Sequence, residues 1–190
     1  IRENQPTLVD SLSYAGLDSV SANLRSRYLR SRRLKTGQIF SVENLIDERD
    51  RTLDFFREYG YTFFHPDSIR ITVDTLGLHA GVRFNISLPG RHAYGPVKVF
   101  VHNPLAKDNP ATAKTFEREN VSVTIYGNQK FSPKVFSSAI AWKQGALTRQ
   151  SLEQRTLENF GSTNLFSSIS IQKDTVSTGA IPVTIDLYPS

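Results

Sequence analysis

The side chains that most often carry catalysis or bind metals are sparse in this sequence and widely spaced. There is no cysteine, which excludes disulfide bonds, thiol catalysis and the usual zinc sites. The four histidines, His65, His79, His92 and His102, include no pair three or four positions apart, the spacing that places two ligands on one face of a helix. We therefore expect neither a metal site nor a cofactor.

Glu48 and Asp50 form a carboxylate pair that could be considered for general acid and base catalysis. Two positions apart on a helix, however, their side chains point in different directions, and each has a cationic neighbour. The sequence also has no glycine-rich phosphate loop and no Gly-x-Ser-x-Gly nucleophile motif. We interpret Glu48–Arg51 as the solvated outer face of a helix, with Asp47 and Arg51 paired at i,i+4, and expect no enzymatic activity.

A cluster of positive charge is a candidate for binding. The net charge is +5, and six cations lie between positions 25 and 35: Arg25, Arg27, Arg30, Arg32, Arg33 and Lys35. Such a cluster could bind nucleic acid or an anionic lipid headgroup, but charge runs are also commonly solvated faces. Tyr28 is the only aromatic residue in the run, and its spacing from Leu24 indicates a core residue. We expect a solvated surface and no nucleic-acid partner, and a basic surface-binding module centred on residues 25–35 is the alternative function.

The elements that must position these residues occur twice. Leu34-Lys35-Thr36-Gly37 recurs 108 positions later as Trp142-Lys143-Gln144-Gly145, and each copy precedes a helix-patterned stretch and a pair of strands. A repeat near 100 residues has the size of a whole small domain. The sequence therefore predicts two tandem α+β modules of order β-α-α-β-β, at residues 1–92 and 93–190, each a small mixed sheet with two helices on one face.

In the first module, the apolar spacing predicts each element in turn. Residues 7–14 read as a strand whose alternation is broken by Val9. One helix stripe follows at Leu17, Val20, Leu24 and Tyr28, with Asp18 or Ser19 as cap, and a second helix begins after Ser41 with Leu45, Ile46, Leu53 and Phe56 inward. Residues 69–74 and 82–88 alternate as a half-buried hairpin.

The second module departs from the first in one segment. Residues 97–101 read as a strand, residues 102–120 as a polar excursion without a clear pattern, and strand character returns at residues 121–125. We interpret 102–120 as an insertion that splits the first strand of the module. Ser132-Pro133 and Thr148 then open two helices, and residues 169–171 and 183–187 form the closing hairpin.

These motifs resemble polypeptide-transport-associated (POTRA) domains of BamA-like and TamA-like outer-membrane assembly factors. The resemblance rests on Leu34–Phe40, Glu48–Arg51, Tyr59-Gly60-Tyr61 and Phe63 in the first module, and on Tyr126–Phe131, Lys143-Gln144-Gly145 and Leu165–Ile169 in the second. The combination of Glu-Arg-Asp-Arg with Tyr-Gly-Tyr and Phe-Phe is most similar to TamA-like lipoproteins of Bacteroidetes. Since the chain begins at Ile1 rather than Met and has no signal-peptide pattern, we expect an excerpt of a longer protein.

The resemblance implies a periplasm-facing module at the cell outer membrane. Its expected partners are an unfolded outer-membrane protein or a periplasmic or inner-membrane protein, together with a C-terminal β-barrel of the same chain or a lipid anchor that keeps it close to the membrane. In the resembled family the first strand of the closing hairpin is the exposed edge that accepts an extended segment. The implied partner-binding residues are Ile69, Arg70, Ile71, Thr72, Val73, Asp74, Ser168, Ile169, Ser170 and Ile171. The alternative is that these strands are structural or covered by the neighbouring module.

Overall fold

The computed structural model describes residues 5–176 and 179–190, which form two compact units. The first unit comprises Ile1–Arg57 and Phe63–Pro89, and the second comprises Glu58–Thr62 and Gly90–Ser190. Each unit has a small mixed sheet and two helices, so the predicted α+β fold is confirmed. None of the helices in the described ranges is long and apolar enough to span a membrane.

The first unit has the predicted β-α-α-β-β order. Its elements are β1 (Leu8–Ala15), α1 (Ala22–Arg30), α2 (Val42–Glu58), β2 (Ile69–Leu76) and β3 (His79–Ile86). The three strands lie in the order β1-β3-β2, because β1 runs parallel to β3 and β2 forms an antiparallel hairpin with it. The last strand in sequence is therefore the central one.

The second unit repeats this order and adds one hairpin. Its elements are β4 (His92–Val101), β5 (Lys114–Arg118), β6 (Val121–Ile125), α3 (Pro133–Ala139), α4 (Gln150–Gly161), β7 (Phe166–Lys173) and β8 (Gly179–Pro189). The strand order is β5-β6-β4-β8-β7, with β4 parallel to both of its neighbours. The strands β4, β8 and β7 thus correspond to β1, β3 and β2. Residues 177 and 178, between the two predicted strands of the closing hairpin, lie outside the described residues.

The segment 102–120 differs from its prediction in one respect. Residues 102–120 do not split the first strand, because β4 is complete at Val101. They contain the strand β5, which pairs antiparallel with β6, so residues 121–125 are an additional strand rather than the return of the first one. The polar composition of β5 concealed it, since its side chains are largely exposed and show no apolar alternation.

Two details of the first module also differ from the prediction. Val9 is buried and Leu8 is exposed, because the pairing of β1 with β3 shifts register between Val9 and Ser11. This bulge brings Val9 onto the same face as Leu12. The helix α1 begins later than predicted, and its cap is Ser21, whose Oγ accepts the Leu24 N–H at 3.4 Å. The helix α2 begins after Ser41, as predicted, and Ser41 caps it, with its Oγ accepting the Asn44 N–H at 3.2 Å.

The repeated motif forms the same turn in both units. Gly37 and Gly145 each have a φ of 83°, a left-handed conformation that favours glycine. Gly37 N–H donates to Val9 O at 2.7 Å, and Gly145 N–H donates to Tyr94 O at 2.8 Å. The turn therefore pairs with the start of β1 in one unit and of β4 in the other, which explains why the motif recurs.

The predicted solvated face of α2 is wrong at two positions. Glu48 is fully buried and Arg51 is only 8% exposed, whereas Arg49 and Asp50 do form an exposed pair at 2.9 Å. Ile46, which the sequence placed inward, is exposed instead. Leu45, Glu48, Thr52 and Phe56 follow one another at helical spacing, so position 48 belongs to the buried stripe. The sequence contained this signal, but the charge of Glu48 outweighed its spacing in our interpretation.

The buried carboxylate of Glu48 is satisfied by donors from several segments. Its Oε2 accepts the backbone N–H groups of Arg33 (2.9 Å) and Leu34 (3.2 Å), which begin the repeated turn. Its Oε1 accepts Tyr14 Oη (2.7 Å) and Arg51 Nη2 (2.5 Å). Burial, followed by the hydrogen bond to Glu48, raises the pKa of Tyr14. A buried carboxylate persists only when it is paired and hydrogen-bonded in this way.

Candidate functional site

The strand β2 lies at one edge of the sheet of the first unit. All eight of its residues pair with β3 in continuous register, from Ile69 opposite Ile86 to Leu76 opposite His79. Within residues 5–176 and 179–190, no strand pairs with its other side. An edge strand of this kind presents a row of backbone donors and acceptors that an extended peptide can pair with.

The side chains of β2 alternate as the sequence predicted. Ile69 is buried and Ile71 is half-buried, while Arg70, Thr72 and Asp74 are exposed on the opposite face. Val73 is 38% exposed, so the apolar face of the strand becomes accessible towards its end. The six candidate residues of the first unit therefore lie together on one edge.

The direction of each backbone group in β2 follows from one hydrogen bond and the hairpin register. Ser68 O accepts the Ser87 N–H at 2.8 Å, so the groups of even-numbered residues face β3. In an antiparallel ladder the intervening residues point away from that partner. The N–H and C=O groups of Ile71 and Val73 therefore face the open edge, whereas those of Thr72 pair with β3.

The strand β7 is the corresponding edge of the second unit, and it is less regular. Ser168 is exposed, while Ile169, Ser170 and Ile171 are half-buried. The pairing of β7 with β8 shifts register between Phe166 and Ser168, and Lys173 at its end forms an ion pair with Glu153 at 2.8 Å. Bulges and edge lysines oppose strand addition, so β2 is the more open of the two edges.

The basic cluster lies on the solvent-exposed side of α1 and the loop that follows it. The six cationic side chains are exposed, and none forms an ion pair with a carboxylate in the described part of the chain. Arg25, Arg30, Arg32 and Lys35 line an open groove of about 660 Å³. Tyr28 is fully buried, as its spacing predicted, and does not contribute to this surface.

A titratable cluster that the sequence did not predict holds the inserted segment to β8. His102 Nδ1 lies 2.6 Å from Asp108 Oδ2, and its Nε2 lies 2.9 Å from Asp186 Oδ1. Its ring also stacks on Tyr188, with centroids 4.4 Å apart. Burial alone would lower the pKa of His102, but the hydrogen bonds and charges of the two aspartates raise it. Both ring nitrogens of His102 are hydrogen-bonded to carboxylates, so we assign the cluster a structural role.

Comparison with known proteins identifies the fold. No protein-family model matches the sequence, and no curated protein matches it significantly. POTRA1-2 of the periplasmic domain of Omp85 from Anabaena superposes with a TM-score of 0.56 at 11% identity, covering 99% of this chain and 98% of that one. The fold is that of two tandem POTRA domains. BamA from Haemophilus ducreyi lacking POTRA domains 1-3 matches with a TM-score of 0.63 at 9% identity, covering 98% of this chain, which spans 30% of that structure.

Proposed function

We propose that this chain is a non-enzymatic, periplasmic pair of POTRA domains from an outer-membrane assembly or translocation factor. Its function is to bind unfolded or partner polypeptides transiently by β-augmentation, chiefly at β2 and secondarily at β7. The observation that carries the proposal is the continuous eight-residue edge of β2, whose outer backbone groups have no partner within the described ranges.

The likeness to the periplasmic domain of Omp85 and to BamA supports the location and the class of partner. In this proposal a β-barrel or a lipid anchor elsewhere in the full protein keeps the pair near the outer membrane. The TamA-like motifs of the first unit favour a Bacteroidetes lipoprotein as its source. Client polypeptides would be recognised mainly through their backbone, since the exposed side chains beside it, Arg70, Thr72 and Asp74, are all polar.

The register of β2 determines which residue should be replaced by proline to test the proposal. Proline at Thr72 would remove a hydrogen bond to β3 and destabilise the sheet itself. Proline at Val73 removes an N–H that faces the open edge, and leaves the pairing with β3 in place. Val73→Thr is the matched control, because it keeps the N–H and the β-branched shape at this 38% exposed position.

Binding is measured by fluorescence anisotropy with labelled peptides from unfolded outer-membrane proteins, after a denaturant melt has shown that each variant is folded. We expect Val73→Pro to weaken binding about tenfold, as the loss of one or two backbone hydrogen bonds implies, and Val73→Thr to bind like the parent. A folded Val73→Pro protein that binds these peptides with parental affinity would contradict capture at β2.

A basic surface-binding module is a second candidate, favoured by the groove between α1 and the following loop. Four cationic side chains line this groove, and no carboxylate within the described residues forms an ion pair with them. Salt-sensitive binding to anionic vesicles or to nucleic acid, lost on replacing Arg30 and Arg32 with glutamine, would favour this function over strand capture.

A further inference from the structure

The two units differ in what lies beside their first strand. In the second unit β4 has β8 on one side and β6 on the other, and residues Val97–Val101 pair with Val121–Ile125. In the first unit β1 has β3 on one side, and the described chain places no strand on the other. The inserted hairpin thus covers in one unit an edge that is open in the other.

The correspondence between β1 and β4 holds residue by residue. Val9 and Tyr94 bond to equivalent atoms of the repeated turn, and both strands shift register just after these residues. Leu12 then lies opposite Val82 in β3, as Val97 lies opposite Val183 in β8. Leu12–Ala15 is therefore the part of β1 equivalent to the part of β4 that β6 covers.

The backbone groups on this part of β1 point outward. In the second unit Val101 O accepts the Tyr126 N–H at 2.9 Å, and His102 N–H donates to Leu187 O at 2.9 Å, so Val97, Val99 and Val101 face β6. Their equivalents Leu12 and Tyr14 must face the open edge, because backbone direction alternates along a strand. No loop hydrogen bond uses the N–H or C=O of Leu12 or Tyr14 in the part of the chain that the structure describes.

Side-chain burial agrees with a vacant edge. Val97 and Val99 are buried beside β6, whereas Leu12 and Tyr14 are only half-buried. The strand β6 has the sequence Val-Ser-Val-Thr-Ile, with apolar residues at alternate positions that enter the core. A strand of this chemistry would cover the apolar side chains that β1 leaves partly exposed.

We propose that the free edge of β1, at Leu12–Ala15, is a second strand-accepting site, which takes an extended segment parallel to β1 with apolar residues at alternate positions. We expect the added segment to pair with β1 as β6 pairs with β4 in the second unit. The site lies on the opposite edge of the sheet from β2. It therefore does not depend on capture at β2.

Cysteine cross-linking can test this directly, since the chain contains no cysteine. The probe is a peptide of residues 119–126 with Ser122→Cys, and the proteins are full chains that carry one cysteine each. Ser13→Cys reports the β1 edge, and Thr72→Cys reports the β2 edge at the same register, because both residues lie opposite Arg83 in β3. Lys98→Cys is the matched control, since it is equivalent to Ser13 but β6 already covers it.

With oxidised glutathione as the oxidant, we expect a disulfide between the peptide and Ser13→Cys, with at least tenfold less product from Thr72→Cys and Lys98→Cys. Orientation is read with a second peptide bearing Thr124→Cys, which should react with Ala15→Cys in the parallel arrangement. N-methylation of the peptide at Thr124, which faces the acceptor strand, should abolish cross-linking, whereas N-methylation at Val123, which faces away, should not. All these substitutions are at exposed positions of the protein, and a denaturant melt confirms folding.

Three results would overturn the proposal. One is the absence of Ser13→Cys product with peptide in large excess. Another is equal product at Thr72→Cys, which would mean capture at β2 or unspecific oxidation. The last is a reversed pattern of cysteine pairs, which would indicate antiparallel addition. Failure of Val73→Pro to weaken client binding would bear on β2 alone, so the two hypotheses fail separately.

Discussion

Glu48 and Thr156 occupy equivalent positions in the two units and hold equivalent segments by hydrogen bonds. The two residues are 108 positions apart, which is also the spacing of the repeated motif. Glu48 Oε2 accepts Arg33 N–H at 2.9 Å, and Thr156 Oγ1 accepts Ala141 N–H at 3.0 Å. Both are fully buried. One fold position thus satisfies the same backbone donor with a carboxylate in one unit and with a hydroxyl in the other.

The carboxylate of Glu48 should be essential to the stability of the first unit. Glu48→Gln leaves the buried guanidinium of Arg51 without its counter-charge, which we expect to destabilise the unit by about 3 kcal/mol. Denaturant unfolding followed by circular dichroism measures this change. Asp50→Asn, the same change on the exposed face of α2, should cost less than about 1 kcal/mol. Equal effects of the two substitutions would contradict the role assigned to Glu48.

The hydroxyl of Thr156 should matter to the second unit alone. Thr156→Val removes the acceptor of Ala141 N–H and should cost about 1–3 kcal/mol, while Thr156→Ser should be closer to the parent. The single tryptophan, Trp142, lies in the second unit, so its fluorescence reports that unit.

If the two units fold separately, Thr156→Val shifts the fluorescence midpoint of Trp142 and Glu48→Gln does not. A Trp142 transition that moves with Glu48→Gln would show instead that the two units unfold as one cooperative body.

The His102 cluster should make the second unit sensitive to pH. The pKa of His102 is raised above its usual 6.5, so its stabilising contribution is complete below about pH 6.5 and is lost as the pH rises through the raised pKa. The pKa of Asp108 is lowered, despite its partial burial, by the Asn103 N–H and by His102, so its contribution is lost only in acid, as the pH falls through that lowered value.

Unfolding free energy measured between pH 5 and pH 9 should therefore fall on the alkaline side, and the fall should be smaller in His102→Gln. Asp10, whose exposed carboxylate lies 3.7 Å from His79 Nδ1, provides a comparison. Removing that second pair by His79→Gln should change the free energy of unfolding by less than about 1 kcal/mol, because exposed ion pairs contribute little. Parallel profiles for His102→Gln and the parent would contradict the assignment.

The basic surface should tolerate neutralisation. Replacing Arg30, Arg32 and Arg33 with glutamine should change the free energy of unfolding by about 0.5 kcal/mol or less per site, since all three side chains are exposed. The contribution of Arg33 to the Glu48 site comes from its backbone N–H, which the substitution keeps. A loss of several kcal/mol would show that the cluster is structural.

The sequence alone determined the elements that depend on local periodicity. The alternation of residues 69–74 and 82–88 predicted β2 and β3, the spacing of Leu24 and Tyr28 predicted the buried side of α1, and the repeated Lys-x-Gly motif predicted a second module. These features are readable because side-chain direction repeats every two residues in a strand and every 3.6 in a helix. The fold class followed from the order of the elements.

Only the tertiary structure decided which polar groups are buried and which edges are open. Glu48 appears solvated in sequence because its donors, Tyr14, Arg33 and Leu34, are distant along the chain and reach it only after folding. The strand β5 escaped prediction because an exposed edge strand needs no apolar side chains. The unpaired edge of β1 is recognised only by comparing β1 with β4 in the folded structure. Strand pairing joins segments that are distant along the chain, so no local sequence pattern predicts it.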